Sequence, residues 1–182
     1  MLRLQGGDDL ALNEIMSRWQ RPVTSFLYRL TGDQSTALDL AEETFVQIYQ
    51  SRSRYRPSGS FSTWIFSIAT NLFRNLARWR RRHPSFSMDT SSPENDRPMG
   101  EQFADSKPTP FQVTETSERA AAVQAAVLAL PDDQRQTVIL FEYQGLSHEE
   151  IGQVMNCSAK AAESRLYRAR AALREKLEHL LE

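Results

Sequence analysis

Residues 147–170 read SHEEIGQVMNCSAKAAESRLYRAR and contain the sharpest structural signal in the chain. Ser147 and Glu150 have the spacing of a capping box, which marks the start of a helix. Gly152 is a small residue at a point where two helices would cross closely, and Asn156 suits a left-handed turn better than any other residue except glycine. This pattern predicts two short helices joined by a tight turn.

The second helix of this pair has two chemically different faces. Four apolar residues form a seam that would pack inward: Ala162, Leu166, Ala169 and Leu173. The opposite side suits the DNA major groove, because Arg or Lys reads guanine there and small residues allow close approach. The residues predicted to contact DNA are Lys160, Ala161, Ser164 and Arg168, with Arg165 on the flank of this side. An ordinary amphipathic helix with a solvated basic face is the alternative interpretation.

Helical periodicity extends over most of the chain outside this motif. Apolar residues recur at helical spacing over 10–19, 35–51 and 62–82, and an alanine-rich segment covers 120–130. A turn signal, Thr31-Gly-Asp33, separates the first two of these segments. No stretch alternates as a strand would, so the sequence predicts an all-α fold.

Composition divides the chain into three parts. Residues 1–82 carry 12 Lys and Arg against 7 Asp and Glu, although the whole chain has a net charge of −1. Residues 83–117 are rich in Pro, Ser, Thr and acidic residues and predict a flexible linker. Residues 118–182 are helical again. The sequence therefore predicts two small helical domains joined by a linker, with basic charge concentrated in the first domain as a DNA-contacting surface requires.

Several classes of protein are disfavoured by what the sequence lacks. No apolar run approaches the ~20 residues of a membrane span, and the N-terminus lacks the apolar core of a signal peptide, so we expect a cytoplasmic protein without membrane insertion. The single cysteine, Cys157, is expected to fill space beneath the turn and cannot form an internal disulfide. Scattered histidines and the absence of a phosphate loop or nucleophile–base pair predict no cofactor, no metal site and no catalytic residues.

Three segments near the C-terminus resemble region 4 of bacterial RNA polymerase sigma factors. They are Leu130–Arg135, Gly145–Gly152 and Glu163–Arg170, and the last contains a close match to the family pattern Ser-Arg-Leu-His-Arg-Ala-Arg. The resemblance implies that this domain binds the −35 promoter element and the β flap of core RNA polymerase.

A second resemblance covers the segment ALDLAEETF at residues 37–45, which is similar to region 2.2 of the same family. Leu38 and Glu42 stand where the family commonly has Glu and Gln. The resemblance implies docking on the β′ clamp helices, and acidic and apolar side chains together suit such a partly polar interface. The residues predicted to bind the polymerase are Asp39, Leu40, Glu42, Glu43 and Phe45.

The segments YRPSGSFSTW at 55–64 and IATNL at 68–72 resemble regions 2.3 and 2.4. In the family, the loop captures a flipped −10 base, which requires a stacking surface and hydrogen-bonding groups. The residues predicted for this task are Ser60, Phe61 and Asn71, followed by a basic stripe at Arg74, Arg78 and Arg81 that suits DNA phosphates. Trp64 is expected in the core.

The order of these motifs is similar to the compact extracytoplasmic-function (ECF) group of sigma factors. The resemblance implies promoter-specific initiation through −10 and −35 binding and −10 melting, with core RNA polymerase and promoter DNA as partners and an anti-sigma factor as a further one. The alternative is a free-standing helix-turn-helix regulator, which would leave residues 35–82 unexplained.

Overall fold

Helices are the only regular secondary structure in residues 1–56, 59–84 and 110–178, which this computed structural model describes. The helices are α1 Leu2–Gln5, α2 Leu10–Thr31, α3 Gln34–Gln50, α4 Phe61–Arg82, α5 Pro110–Leu128, α6 Asp132–Glu142, α7 His148–Met155 and α8 Ala159–Lys176. A 3₁₀ turn at Arg52–Arg54 follows α3. The predicted all-α fold is confirmed.

The turn between α2 and α3 lies where the sequence placed it. Gly32 ends α2 in the left-handed conformation, with φ 71°, and its N–H donates to the Tyr28 carbonyl at 2.8 Å. Asp33 then begins α3, because its carboxylate accepts a hydrogen bond from the Thr36 N–H at 2.7 Å. The chain reverses within two residues, so α2 and α3 pack side by side.

α4 packs against α2 and α3 through its apolar face and completes the N-terminal domain. Phe66 is 1% exposed, and its ring meets that of Phe26 edge to face with 5.1 Å between centroids. Trp19 approaches the same ring at 6.0 Å. Ile65 and Ala69 are fully buried beside it, so these side chains fix where α4 lies on α2.

The C-terminal domain is built from α6, α7 and α8 around Ile139, Ile151 and Leu166. α5 leads into it and begins at Pro110, eight residues before the predicted domain start at 118. Proline signalled a linker in the sequence, but it is also favoured at the first position of a helix. Residues 85–109 of the predicted flexible linker lie outside the described residues.

The two domains touch each other, which the sequence did not predict. α4 packs on α7, while α2 packs on α5 and α6, and the buried side chains of both domains form one contiguous cluster. Arg135 of α6 donates to the Leu30 carbonyl of α2 at 2.7 Å. Leu128 of α5 fills the space beside Gly32, where an added Cβ would lie 2.7 Å from the leucine Cδ1.

The cap at Asp33 gives a stability prediction with an internal control. Asp33→Ala removes the acceptor of the Thr36 N–H and should lower the free energy of unfolding by about 1 kcal/mol. Asp9→Ala should change it by less than about 0.5 kcal/mol, because Asp9 precedes α2 without a side-chain cap bond. Urea unfolding at pH 7 measures both; equal losses would contradict the assigned cap.

The same cap should weaken in acid. Hydrogen bonds from Thr36 hold the pKa of Asp33 below its usual value, and burial opposes them only in part. A carboxyl whose pKa is lower in the folded state stabilises the fold above its unfolded pKa and loses that contribution as the pH falls through its folded pKa. The difference between the native chain and Asp33→Ala should therefore shrink at acidic pH.

Candidate functional site

The turn between α7 and α8 has the geometry that the sequence predicted. Ser147 accepts from the Glu150 N–H at 3.2 Å while the Glu150 carboxylate accepts from the Ser147 N–H at 3.0 Å, so the capping box is complete. Asn156 is left-handed, with φ 54°. A Cβ on Gly152 would lie 2.7 Å from the Cys157 carbonyl oxygen, so the two helices meet as closely as glycine permits. Cys157 packs partly buried against the core.

α8 presents one exposed face beside a buried seam. Ala162, Leu166 and Ala169 are buried as predicted, and Leu173 is partly buried against the core. Among the residues predicted to contact DNA, Lys160, Ser164 and Arg168 are exposed, and Ala161 is half-buried. Lys160 forms an ion pair with Glu163 at 3.1 Å.

Tyr167 lies at the centre of this exposed face and was missed by the sequence analysis. It is 77% exposed, and at 100° per residue it falls between Glu163 and Ser164 around the helix. The signal in the sequence was a large aromatic residue on the polar side of an amphipathic helix, away from the apolar seam. Its position makes it available to any molecule that docks on α8.

Arg165 points to the side of α8 rather than to the centre of the exposed face. Its guanidinium contacts the Asp133 carboxylate of α6 at 3.2 Å and the Cys157 sulfur at 3.1 Å. Its side chain is 24% exposed. In this structure Arg165 joins α8 to α6, a contact that depends on how the helices pack and that sequence periodicity does not reveal.

An apolar groove runs between α2 and α3. It has a volume of about 530 Å³, and Leu12 and Met16 of α2 face Leu38 and Val46 of α3 across it. Leu38 is 42% and Val46 45% exposed, so the groove presents aliphatic surface to solvent at two points along α3. The groove is therefore a surface that a partner could cover.

Only two of the five residues predicted to bind the polymerase line this groove. Glu42 and Phe45 line it, with Phe45 only 5% exposed in its floor. Asp39 is exposed outside it, Leu40 packs partly buried against the core, and Glu43 accepts from the Gln47 amide at 2.8 Å. Phe45 is therefore mainly a core residue and offers little surface to a partner. Leu38 and Val46 supply the exposed apolar surface instead.

A smaller pocket lies at the start of α4. Its volume is about 170 Å³, and its lining includes the ring of Trp64, the hydroxyls of Ser60 and Thr63, and Gln153 from α7. Ser60 begins α4, since its hydroxyl accepts from the Thr63 N–H at 3.2 Å. Polar groups beside an aromatic ring are the combination that a captured nucleotide base requires.

Glu150 reaches this pocket from the other domain. The Glu150 carboxylate accepts hydrogen bonds from the Ser60 hydroxyl at 2.9 Å and the Thr63 hydroxyl at 3.3 Å. The Ser147 N–H, followed by the Ser60 hydroxyl, lowers the pKa of Glu150, so the carboxylate is charged at neutral pH.

The remaining residues predicted for the −10 site do not line this pocket. Phe61 lies outside the pocket and packs edge to face on Trp19 with 5.3 Å between centroids, while Asn71 is exposed on α4. Arg78 and Arg81 are exposed farther along the helix. Trp64, expected in the core, is partly buried against it and also lines the pocket.

Arg74 is half-buried between the two domains. Its Nε donates to the Gln136 side chain at 2.9 Å and its Nη1 to the Met155 carbonyl at 3.3 Å. Burial, and then the nearby Arg165, lowers the pKa of Arg74 from its usual value. The guanidinium that the sequence assigned to DNA phosphates is engaged inside the protein.

Two further kinds of feature are absent from residues 1–56, 59–84 and 110–178. None of their helices combines the length and apolar character needed to cross a membrane. No group of three His, Cys, Asp or Glu side chains within the same ranges is arranged to hold a metal ion.

Two family models match the chain. Sigma-70 region 2 matches residues 15–83, and sigma-70 region 4 matches residues 120–173. The first match contains most of the residues that line the groove and the pocket, and the second contains α6, α7 and most of α8. Together they define the class: a chain with sigma-70 regions 2 and 4.

Curated relatives specify the family. The ECF RNA polymerase sigma factor SigE of Mycolicibacterium smegmatis is 35% identical over 94% of this chain, which spans 64% of that relative's length. The sigma-H factor of Pseudomonas aeruginosa is 31% identical, with coverage of 98% of this chain and 92% of the relative. The ECF sigma-E factor of Escherichia coli K12 is 33% identical, with coverage of 98% and 93%.

Solved structures share the fold. The sigma factor RpoE in its complex with the anti-sigma factor NepR from Bartonella quintana has a TM-score of 0.70 and 23% identity, covering 91% of this chain and 96% of that one. CnrH in complex with the cytosolic domain of CnrY has a TM-score of 0.68 and 20% identity, covering 98% and 94%.

The chain belongs to the ECF family of RNA polymerase sigma factors. It is an alternative sigma factor for transcription initiation, and the interpretation as a free-standing helix-turn-helix regulator is not favoured.

The close approach at Gly152 gives a test of the helix-turn-helix geometry. Gly152→Ala should lower the free energy of unfolding by about 1–2 kcal/mol net. The new Cβ meets a backbone oxygen that cannot move aside, which costs up to about 3 kcal/mol, and the gain in helix propensity, about 1 kcal/mol, offsets only part of that cost. Gly6→Ala is the control, since its Cβ would have no neighbour nearer than 3.4 Å. Thermal unfolding compares the variants; a Gly152→Ala protein as stable as the native chain would contradict the described turn.

Proposed function

We propose that this chain directs core RNA polymerase to promoters through three surfaces, one for the polymerase and two for DNA. The observation that carries the proposal is their presence together in one chain: the α2–α3 groove, the pocket at the start of α4 and the exposed face of α8. A free-standing DNA-binding protein would not need the groove. The protein acts in the cytoplasm and is non-catalytic in this role.

The α2–α3 groove is the proposed docking site for the β′ clamp helices. Leu38 and Val46 offer exposed apolar surface, and Glu42 at the same groove adds an acidic group. Interfaces of this kind combine an apolar centre with a polar rim. Asp39 and Glu43 lie outside the groove and would contribute mainly to that rim.

The pocket at the start of α4 is the proposed site for one −10 base. Trp64 supplies the aromatic ring there, and the Ser60 and Thr63 hydroxyls supply hydrogen-bonding groups. Stacking on an aromatic ring is worth about 1–3 kcal/mol per base, which is comparable to the cost of unstacking that base. Arg78 and Arg81 continue along α4 as phosphate contacts, with Asn71 and Phe61 nearer the pocket.

The exposed face of α8 is the proposed −35 reader, and the domain that carries it would also bind the β flap. Arg168 is the residue proposed to read a base edge, with Ser164 and Lys160 beside it. Tyr167 would add apolar contact, because a ring at the centre of the face can meet a thymine methyl group or a sugar. Arg165 supports this helix through Asp133 rather than reading DNA.

We also propose an anti-sigma protein as a partner, because RpoE was solved in complex with the anti-sigma factor NepR. Affinity capture of the tagged full chain from its own host should recover a protein that abolishes transcription when added back. Recovery of core polymerase subunits alone would contradict this part of the proposal.

In vitro transcription tests the function directly. Core RNA polymerase with this chain should give promoter-specific transcripts from a genomic library that core enzyme alone does not give. Arg168→Ala should weaken promoter binding by about 1–3 kcal/mol, because a bidentate contact to a base is lost.

Arg174→Ala is the matched control, since Arg174 is exposed in the last turn of the same helix. It should leave transcription close to that of the native chain. DNA binding without polymerase, together with no transcripts, would overturn the proposed function.

The groove gives a separate prediction. Leu38→Glu should weaken core polymerase binding at least tenfold, because a carboxylate cannot be desolvated against an apolar partner without cost. Leu10→Glu is the control: Leu10 is 71% exposed at the start of α2, outside the groove. Fluorescence anisotropy of labelled protein titrated with core enzyme measures both. Equal effects of the two substitutions would exclude the groove as the docking site.

A further inference from the structure

The beginning of α8 carries an ion pair whose acidic member has no role in the function proposed above. Lys160 Nζ donates to Glu163 Oε2 at 3.1 Å, and the two side chains are 87% and 54% exposed. Among the residues that the structure describes, no other group bonds to Glu163. Its second carboxylate oxygen is therefore available to an outside donor, and the Lys160 ammonium keeps further N–H donors.

Helix stability does not account for this pair. Lys160 is the second residue of α8, where the positive end of the helix dipole disfavours a cation. The more stabilising order places the acidic residue before the basic one, whereas here Lys160 precedes Glu163. Exposed ion pairs also contribute little to stability. The pair therefore adds little to the helix, and its place on the surface calls for another explanation.

Both side chains lie on the exposed face of α8, the face proposed to read the −35 element. At 100° per residue, Tyr167 falls between Lys160 and Glu163 around the helix. Residues near the N-terminus of a recognition helix are the ones that contact base edges in the major groove. DNA phosphates repel a carboxylate on such a face, so Glu163 weakens binding unless a base donates a hydrogen bond to it.

The major groove offers a carboxylate only two kinds of donor, the amino groups at cytosine N4 and adenine N6. Adenine also presents N7, an acceptor beside N6 that repels a carboxylate, whereas cytosine presents no acceptor beside N4. The partner bases differ in the same sense. Guanine offers an ammonium two acceptors, O6 and N7, whereas thymine offers O4 beside a methyl group. A lysine and a glutamate together are thus complementary to a C·G base pair.

The spacing of the pair fits this base pair. Cytosine N4 donates to guanine O6 within the pair, so these two atoms lie about 2.9–3.0 Å apart. Lys160 Nζ and Glu163 Oε2 are 3.1 Å apart. The ammonium and the carboxylate can therefore meet neighbouring atoms of one base-pair edge without giving up their contact with each other.

We propose that Lys160 and Glu163 act as one unit that selects a C·G base pair in the −35 element. Glu163 accepts from cytosine N4, and Lys160 donates to guanine O6 and N7. This rests on the proposed function of α8 as the −35 reader. Arg168 reads a different base pair, because it lies about 140° from Glu163 around the helix.

A promoter library with a randomised −35 region tests the assignment. It is built on one promoter that the native chain transcribes with core RNA polymerase, and sequencing of the transcripts reports the preferred bases. The native chain should prefer C·G at one position by about tenfold. Glu163→Gln should lose this preference and favour A·T there, because glutamine donates to adenine N7 and accepts from N6.

Glu175→Gln is the matched control. It makes the same change of charge at another exposed residue of α8, about 18 Å farther along the helix. It should keep the base preferences of the native chain, and circular dichroism should show both variants folded. An unchanged preference in Glu163→Gln, or the same change in both variants, would overturn the role of Glu163.

Lys160→Ala tests whether the two residues act together. It should relax the preference at the same base pair as Glu163→Ala, and the double variant should lose less discrimination than the two single losses added together. Preferences relaxed at two different positions, or losses that simply add, would overturn the claim that one unit reads one base pair.

Salt dependence gives a second measurement on the complex of core polymerase with this chain. On a promoter without the preferred C·G pair, Glu163 neutralises Lys160 in the native chain, whereas Glu163→Gln releases Lys160 to a phosphate. The slope of log affinity against log salt concentration should then steepen by about 0.9. Equal slopes for the native chain and Glu163→Gln would overturn this neutralisation.

Failure of the proposed function gives a different result from failure of this inference. If the native chain yields no promoter-specific transcripts, the proposed function is overturned, and the selection of a C·G pair with it. If every variant yields transcripts with one and the same −35 preference, only the role of the Lys160–Glu163 pair is overturned.

Discussion

The contact of Phe66 with Phe26 fixes the relation between α2 and α4, and the position of the pocket at the start of α4 depends on it. Burying one such ring stabilises the fold by about 1.5–3 kcal/mol, and an edge-to-face pair adds about 0.5–1.5 kcal/mol. In proteins, most of the stability of a helix comes from the packing of its apolar face rather than from intrinsic helix propensity. The apolar face of α4 therefore sets the direction of its opposite face, which carries the pocket at one end and the basic stripe along its length.

Local rules were sufficient to predict much of this fold. The capping box at Ser147 and Glu150, the left-handed Asn156 and the turn at Gly32 each depend on residues within a few positions of one another. The helical spacing of apolar residues also predicted the buried seam of α8. The beginning of α5 at Pro110 was not predicted, because proline breaks the interior of a helix but is favourable at its first position.

The composition of the candidate sites was less predictable, because it depends on contacts between distant segments. Periodicity placed Arg165 on the flank of α8, but its ion pair depends on the position of Asp133 on α6, which the sequence did not reveal. Phe45 matches the family pattern but lies in the floor of the groove, and Leu38 departs from that pattern while offering exposed surface. The hydrogen bond from Arg74 to Gln136 joins residues 62 positions apart, so no local sequence pattern could predict it.

The exposure of Leu38 and Val46 has a kinetic consequence. The α2–α3 groove stays accessible while α7 lies against α4, so a partner can dock in the groove without first separating the two domains. Docking there is a simple bimolecular step. Its observed rate should rise in proportion to the partner concentration, without the plateau that a preceding unimolecular rearrangement would impose.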